Sequence, residues 1–158
     1  MDLSFYKGKR VLLTGHTGFK GMWLTLLLLE AGAEVTGFSL DAPTDGGREA
    51  LERISVLKEI RDVRGDVRDL AALSRAFHEA CPEVIFHLAA QPIVRTSYRQ
   101  PVDTFAANVM GTVNLLECVR TSETVCSALI VTTDKVYENK EWAWGYRENE
   151  PLMGYDPY

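Results

Sequence analysis

A short apolar run, Arg10-Val11-Leu12-Leu13-Thr14, stops at a glycine, continues as Gly15-His16-Thr17-Gly18-Phe19-Lys20-Gly21, and passes directly into a stretch of helical spacing. No other feature restricts the fold of this chain as much. The run is too short for an independent helix and has the unbroken apolar character of a strand buried on both faces. Over residues 19–31, Trp23, Leu26, Leu27 and Glu30 recur at helical spacing, and Gly32 provides the stop. A strand that hands over to a helix through glycines spaced GxxGxxG permits positive φ in the turn. It also lets backbone N–H groups and the positive end of the helix close on a pyrophosphate. It is not a Walker A loop, because Lys20 precedes Gly21 and Met22 follows it. Glycines that serve only turn and packing are the competing reading.

The remainder alternates in the same way. Residues 34–38 read as a second strand, and the glycine- and proline-bearing stretch 41–47 as a loop. Leu51, Ile54, Leu57 and Lys58 return to helical period. Residues 61–64 read as a third strand and residues 70–80 as a helix stopped by Pro82. Residues 84–88 form the clearest strand. After a loop through Pro92 and Pro101, residues 102–121 read as one long helix with Phe105, Val109, Thr112, Leu116 and Val119 on one stripe. Residues 128–131 complete the set as a buried fifth strand, followed by a loop-like tail to Tyr158. Such alternation predicts an α/β fold, a doubly wound parallel sheet of Rossmann type, of which this is the amino-terminal portion. Ligands are then expected at the carboxyl ends of the strands, after Thr14, Phe38, Arg64, Leu88 and Val131.

Composition narrows the partners. The 158 residues are 46% hydrophobic and 25% charged, as in an average soluble domain able to bury a core. The net charge is −5, and basic residues such as Lys7, Arg53, Arg75 and Arg120 are scattered, so nucleic acid is not an expected partner. The longest apolar stretch, residues 22–29, falls far short of a membrane span. The start, Met1-Asp2-Leu3-Ser4-Phe5, lacks the order of a secretory signal, which makes the cytoplasm the expected location. Cys81, Cys118 and Cys126 are odd in number and form no CxxC pair, and they are expected as small buried hydrophobes in a reducing compartment. His16, His78 and His87 are far from one another and from the cysteines, so no metal is expected and each histidine reads as structural, His16 with the option of touching phosphate.

Four places carry candidate chemistry. The end of the second strand has Ser39 where a ribose-binding carboxylate is expected, which should weaken both the discrimination between NAD and its 2′-phosphate form and the affinity for the dinucleotide. Asp66 can accept from an adenine amino group or share a helix cap with Asp69. Thr133-Asp134-Lys135 can supply a hydrogen-bond donor, a general acid and a general base, or Asp134 and Lys135 can be an exposed loop pair. Trp142, Trp144 and Tyr146 form an aromatic loop suited to stacking on a base, to a flap or to a subunit contact.

Taken with Gly65-Asp66-Val67-Arg68-Asp69, His87-Leu88-Ala89-Ala90-Gln91, Asn108-Val109-Met110-Gly111-Thr112 and Tyr155-Asp156-Pro157-Tyr158, the glycine loop resembles the extended short-chain dehydrogenases over essentially the whole chain. Thr133-Asp134-Lys135 with Tyr137-Glu138-Asn139 and Trp144-Gly145-Tyr146-Arg147-Glu148-Asn149 is similar to the dehydratase branch that acts on CDP-glucose. Related dehydratases carry Asp-Glu where this chain has Asp134-Lys135. The resemblance implies NAD held by Gly15, Gly18, Phe19, Lys20, Gly21, Ser39, Asp66, Val67, Ala89, Ala90 and Gln91. It further implies that Tyr158 takes the sugar 4-hydroxyl proton and Thr133 holds that hydroxyl, with transient NAD reduction at C4. Lys135 then takes the C5 proton, Asp134 protonates the departing C6 oxygen, and the hydride returns to C6. A neutral lysine and a protonated carboxyl are needed for that elimination, so a close charged pair would be the wrong arrangement.

The family's Tyr-x-x-x-Lys lysine would lie four residues past Tyr158. The expectation is therefore that residues 1–158 are an incomplete NAD-binding domain without the carboxyl-terminal substrate domain, inactive alone and at most a weak binder of the adenosine and pyrophosphate part of NAD. The family also implies a homo-oligomer when full length, with residues 102–121 as one contact. A nucleotide-sugar 4-epimerase and a non-catalytic dinucleotide-binding regulatory module are the competing readings.

Overall fold

Successive side chains of a strand point to opposite faces, and along Arg10–Thr14 both faces are covered. Leu12 packs with Phe38, Leu73, Phe77, Ile85 and Leu115, whereas Val11 and Leu13 pack with Leu28, Val35 and Val84. In the computed structural model, which describes residues 2–41 and 56–158, these runs form five strands. They are β1 (Arg10–Thr14), β2 (Glu34–Ser39), β3 (Arg61–Arg64), β4 (Val84–His87) and β5 (Ser127–Ile130), all parallel in the order β3-β2-β1-β4-β5. The order reverses between β1 and β4, and the crevice beyond their carboxyl ends is where such sheets hold ligands.

Helix α1 (Phe19–Glu30) brings Leu28 to one face. Helices α2 (Leu70–Ala80) and α5 (Gly111–Arg120) bring Leu73, Ala76, Phe77, Leu115 and Cys118 to the other. Asp69 caps α2 by accepting from the Ala72 N–H at 2.9 Å, and Cys81 ends it in the left-handed conformation, φ 43°. Between β4 and α5 lie α3 (Val94–Arg99), α4 (Pro101–Phe105) and a π turn, Ala106–Met110.

Several expectations change. The long helix is broken into α4, π turn and α5, and α3 occupies what reads as loop. On α1 the buried residues are Gly21, Met22, Thr25 and Leu28, while Trp23 and Leu27 are exposed. On α4 and α5 they are Thr104, Gly111, Leu115 and Cys118, whereas Phe105, Val109 and Leu116 of the expected stripe face outward. At the start of α5 the packing is close: a Cβ on Gly111 would lie 2.6 Å from Val67 Cγ2, so a residue without a side chain sets the buried face there. Strand β5 is an outer strand with Ser127, Ala128 and Leu129 exposed, not a buried one. Only Cys118 is buried; Cys81 and Cys126 are exposed, each with its thiol directed to a backbone carbonyl, of His78 and Glu83 respectively. The expected loop beyond Asp41, and Leu51 and Ile54 of the expected helix, lie outside the described residues; Val56–Lys58 is a 3-10 turn. Among the described residues no helix is long and apolar enough to cross a membrane.

Candidate active site

Gly15 sits at φ +78°, and a Cβ there would come within 2.8 Å of Ala89 N and 2.9 Å of Leu88 C. A Cβ on Gly21 would strike the Gly15 carbonyl oxygen. These two glycines therefore draw the loop after β1 against the end of β4 and against α1. Gly18 begins α1 without a side-chain cap, so the first-turn N–H groups of Phe19, Lys20 and Gly21 have no acceptor within the helix. Phe19 and Lys20 are exposed beside them. Donors, helix polarity and absence of side-chain bulk make a cradle that fits the pyrophosphate of NAD.

At the ends of β2 and β3, Ser39 is buried and shares a 2.7 Å hydrogen bond with Thr17, whose hydroxyl also donates to the Leu40 carbonyl. His16 is turned inward. Its Nε2 meets Asp62 Oδ1 at 2.8 Å, its ring packs on Gly37, and burial lowers its pKa against the opposing pull of Asp62. Arg64 holds the second Asp62 oxygen at 2.7 Å and donates to the Leu40 carbonyl. Asp66 accepts from the Arg68 N–H at 2.9 Å and from its guanidinium at 2.7 and 2.9 Å, and these bonds lower its pKa. The helix cap belongs to Asp69 alone, which leaves Asp66 as a fixed, ionised acceptor beside buried Val67. Asp62 does not stand out in the sequence, since its partner His16 lies 46 residues away and meets it only when the strands pair.

Beyond β4, Ala89 donates its N–H to Thr14 Oγ1, and the Thr14 hydroxyl meets His87 Nδ1 at 2.6 Å. His87 Nε2 meets the Thr112 hydroxyl at 3.1 Å, and burial alone pushes its pKa down to about 4. Asn108 Oδ1 accepts from Gln91 N–H at 2.7 Å, and its Nδ2 donates to the Gln91 carbonyl at 3.2 Å. The Ala89-Ala90-Gln91 segment is thus tied to the sheet at one end and to the π turn at the other. The Asn-x-x-Gly-Thr motif contains both Asn108 and Thr112, but its spacing gives no hint of their partners.

After β5, Thr133 caps a 3-10 turn, Asp134–Val136, by accepting from Lys135 N–H at 3.1 Å, and its hydroxyl donates to Asp134 Oδ1 at 3.3 Å. Lys135 Nζ lies 3.4 Å from Asp134 Oδ2. Both side chains are largely exposed, and the Lys135 hydrogen bond lowers the Asp134 pKa. The two groups form a charged contact, the arrangement opposed to proton transfer at C5 and C6. Tyr158 stands apart from this turn in sequence, half-buried, with its N–H donating to Asp156.

A sheet that reverses order beside a glycine cradle, with polar groups beyond its outer strand, defines a dinucleotide-binding α/β protein. The GDP-mannose 4,6 dehydratase family matches residues 12–158, and the chain belongs to that family. It is 52% identical to the CDP-glucose 4,6-dehydratase of Salmonella typhimurium strain LT2, over 100% of this chain and 44% of that protein. The CDP-paratose 2-epimerase of Salmonella typhi is 34% identical over 89% of this chain and 41% of its own length. Among solved structures, the Thermus thermophilus UDP-glucose 4-epimerase complex with NAD superposes with a TM-score of 0.80 at 31% identity, covering 94% of this chain and 45% of that one. The chain therefore spans less than half the length of these relatives.

Proposed function

We propose that this chain is the cofactor half of an NAD-dependent nucleotide-sugar 4,6-dehydratase, a lyase of deoxysugar synthesis that converts CDP-glucose to CDP-4-keto-6-deoxyglucose. The observation that carries this reading is the 52% identity to a CDP-glucose 4,6-dehydratase along the whole chain, with Thr133-Asp134-Lys135 at the carboxyl end of β5. Gly15, Gly18, Phe19, Lys20 and Gly21 would hold the pyrophosphate, Ser39 the adenosine ribose, Asp66 and Val67 the adenine, and Ala89, Ala90 and Gln91 the nicotinamide side. When bound, NAD supplies the two-electron acceptor for C4 and returns the pair at C6.

The chain's residues move the protons. Tyr158 takes the C4 hydroxyl proton while Thr133 holds that oxygen in place. The resulting ketone acidifies C5–H, Lys135 removes that proton, Asp134 protonates the C6 oxygen as it leaves as water, and Lys135 gives its proton back to C5 as C6 is reduced. Because Asp134 and Lys135 are paired at 3.4 Å and solvated, seating of the sugar has to part them and exclude water, which favours the uncharged form of each. In this reading the full-length enzyme is a homo-oligomer.

The test uses the gene product as the cell makes it, incubated with NAD and a mixture of CDP-, UDP-, GDP- and TDP-glucose. Loss of one water from CDP-glucose alone, seen by mass spectrometry, is the expected result. No loss of water from any of the four overturns the reading. Lys135→Met should block water loss while reduced nicotinamide still accumulates, seen by its absorbance; normal product formation would remove the lysine from the mechanism. A 4-epimerase is the second reading, favoured by the likeness to an NAD-bound UDP-glucose 4-epimerase. It would yield an isomer of unchanged mass and make no use of Asp134 and Lys135.

A further inference from the structure

The loop that follows β3, Gly65-Asp66-Val67-Arg68-Asp69, is held from the side by α5. Asn114 spends its side-chain amide on it, donating to the Val67 carbonyl at 2.9 Å and to the Arg68 carbonyl at 3.1 Å. One turn earlier on the same helix, Gly111 lets Val67 pack where a Cβ would stand 2.6 Å from its side chain. Within the loop, Arg68 in turn holds Asp66. Its backbone N–H donates to Asp66 Oδ1 at 2.9 Å, and its Nε and Nη2 donate to Oδ2 at 2.9 and 2.7 Å. Each carboxylate oxygen has two lone-pair positions, so Oδ2 is filled and Oδ1 keeps one. The side chain is 26% exposed, which leaves that acceptor within reach of a ligand. The other tie on Arg68, to Asp103 at 3.5 Å, is long and joins two exposed groups, so solvent weakens it and the firm hold on the loop is that of Asn114.

From this chain of contacts we propose that Asn114 is a positioning residue for the adenine subsite: by holding the Val67 and Arg68 carbonyls it keeps Arg68, and through Arg68 the open Asp66 acceptor, in place for the 6-amino group of the base. The inference rests on the NAD reading above, in which Asp66 and Val67 meet the adenine, and adds the residue that sets them. The amino group presents its N–H bonds in the plane of the ring, so a single acceptor serves it only from a narrow range of directions. A carboxylate on a free loop would turn away from that range. This one cannot turn without breaking its bonds from Arg68, and the Arg68 backbone cannot shift without breaking those from Asn114. Asn114 therefore acts through Arg68 and not on the base. The same helical stretch reaches the nicotinamide side, because Asn108 holds both polar groups of the Gln91 backbone. Two asparagines on one stretch of chain thus brace the segments assigned to the two ends of the dinucleotide.

The experiment titrates the full-length protein, by calorimetry, with NAD and with nicotinamide hypoxanthine dinucleotide, whose base carries a carbonyl oxygen in place of the 6-amino group. Wild type should prefer NAD by about tenfold or more, the scale of one hydrogen bond to a carboxylate. Asn114→Ala should shrink this preference to about twofold, by weakening NAD and leaving the hypoxanthine form nearly unchanged. Asn114→Asp keeps the volume but sets an acceptor against the two carbonyls, and it should shrink the preference as far. In Asp66→Ala the preference should vanish, and adding Asn114→Ala to it should cost NAD nothing further, since the group being positioned is gone. A preference kept in both Asn114 variants overturns the proposal, whatever happens to the melting temperature, and so does an equal loss of affinity for the two dinucleotides. A further loss of NAD affinity in the double variant overturns it as well. If none of the four sugar nucleotides is dehydrated but the preference behaves as expected, the positioning role stands and the dehydratase reading falls. If CDP-glucose is dehydrated but wild type binds both dinucleotides alike, the reverse holds.

Discussion

His87 is 2% exposed and held between the hydroxyls of Thr14 and Thr112, and burial lowers its pKa from 6.5 to about 4. A base whose folded pKa is depressed stays neutral in the fold, while the unfolded chain takes up a proton once the pH falls below 6.5. Stability from this residue is therefore complete above pH 6.5 and is lost as the pH falls toward 4, a total of about 3 kcal/mol for a shift of this size. Urea titrations between about pH 7.5 and 4.5 should show this loss, and His87→Gln should flatten the slope within that window. An unchanged slope would mean that His87 is not the titrating group. His16, also lowered by burial, contributes in the same direction and remains in the variant. At this scale the glycine loop was legible in the sequence because its meaning is local: flanking strand, flanking helix and spacing suffice. The environments of His16 and His87 were not. Asp62 is 46 residues from His16 and Thr14 is 73 from His87, and only strand pairing brings them together.

Strand β1, buried on both faces and ended by a glycine, runs over the expected residues, and so does β3, an exposed outer strand that Gly65 ends. Helix faces were not legible: α1 carries apolar residues nearly all round, and α5 has apolar residues on its exposed side, Val113 and Leu116, as well as on its buried one. Nor does a sequence announce a π turn, in which hydrogen-bond spacing changes without any change of residue type. That turn places Asn108 so that its amide meets both polar groups of the Gln91 backbone. Asn108→Ala removes both bonds and leaves a half-buried N–H and carbonyl without partners, for an expected cost of about 1–3 kcal/mol. Amide hydrogen exchange should then quicken in residues 88–92 more than in the β1 and β2 strands. Uniform quickening across the sheet would assign Asn108 to general packing and not to holding this loop.

For the molecule as a whole, the largest discrepancy between pattern and fold is also the most informative. Val102, Phe105, Val109, Met110, Val113 and Leu116 lie along one side of α4, the π turn and α5, and each is at least 45% exposed. A continuous apolar strip of this length is more than an isolated exposed leucine, and monomers rarely present one to water. It runs along consecutive helical turns, so a second copy related by a two-fold axis can lay the same strip against it, each residue meeting its counterpart's neighbours. The flanking Glu117 and Arg120 are already paired with each other at 2.7 Å, which leaves little charge to oppose the contact. Sedimentation of the full-length protein should therefore show a dimer, and Val109→Glu combined with Leu116→Glu should weaken it by about a hundredfold or more, since two carboxylates would be buried without partners. Both positions are exposed in the single chain, so the melting curve of the dissociated subunit should change little. A dimer that survives the double substitution would place the contact elsewhere, and a wild-type monomer would leave the strip for a different partner.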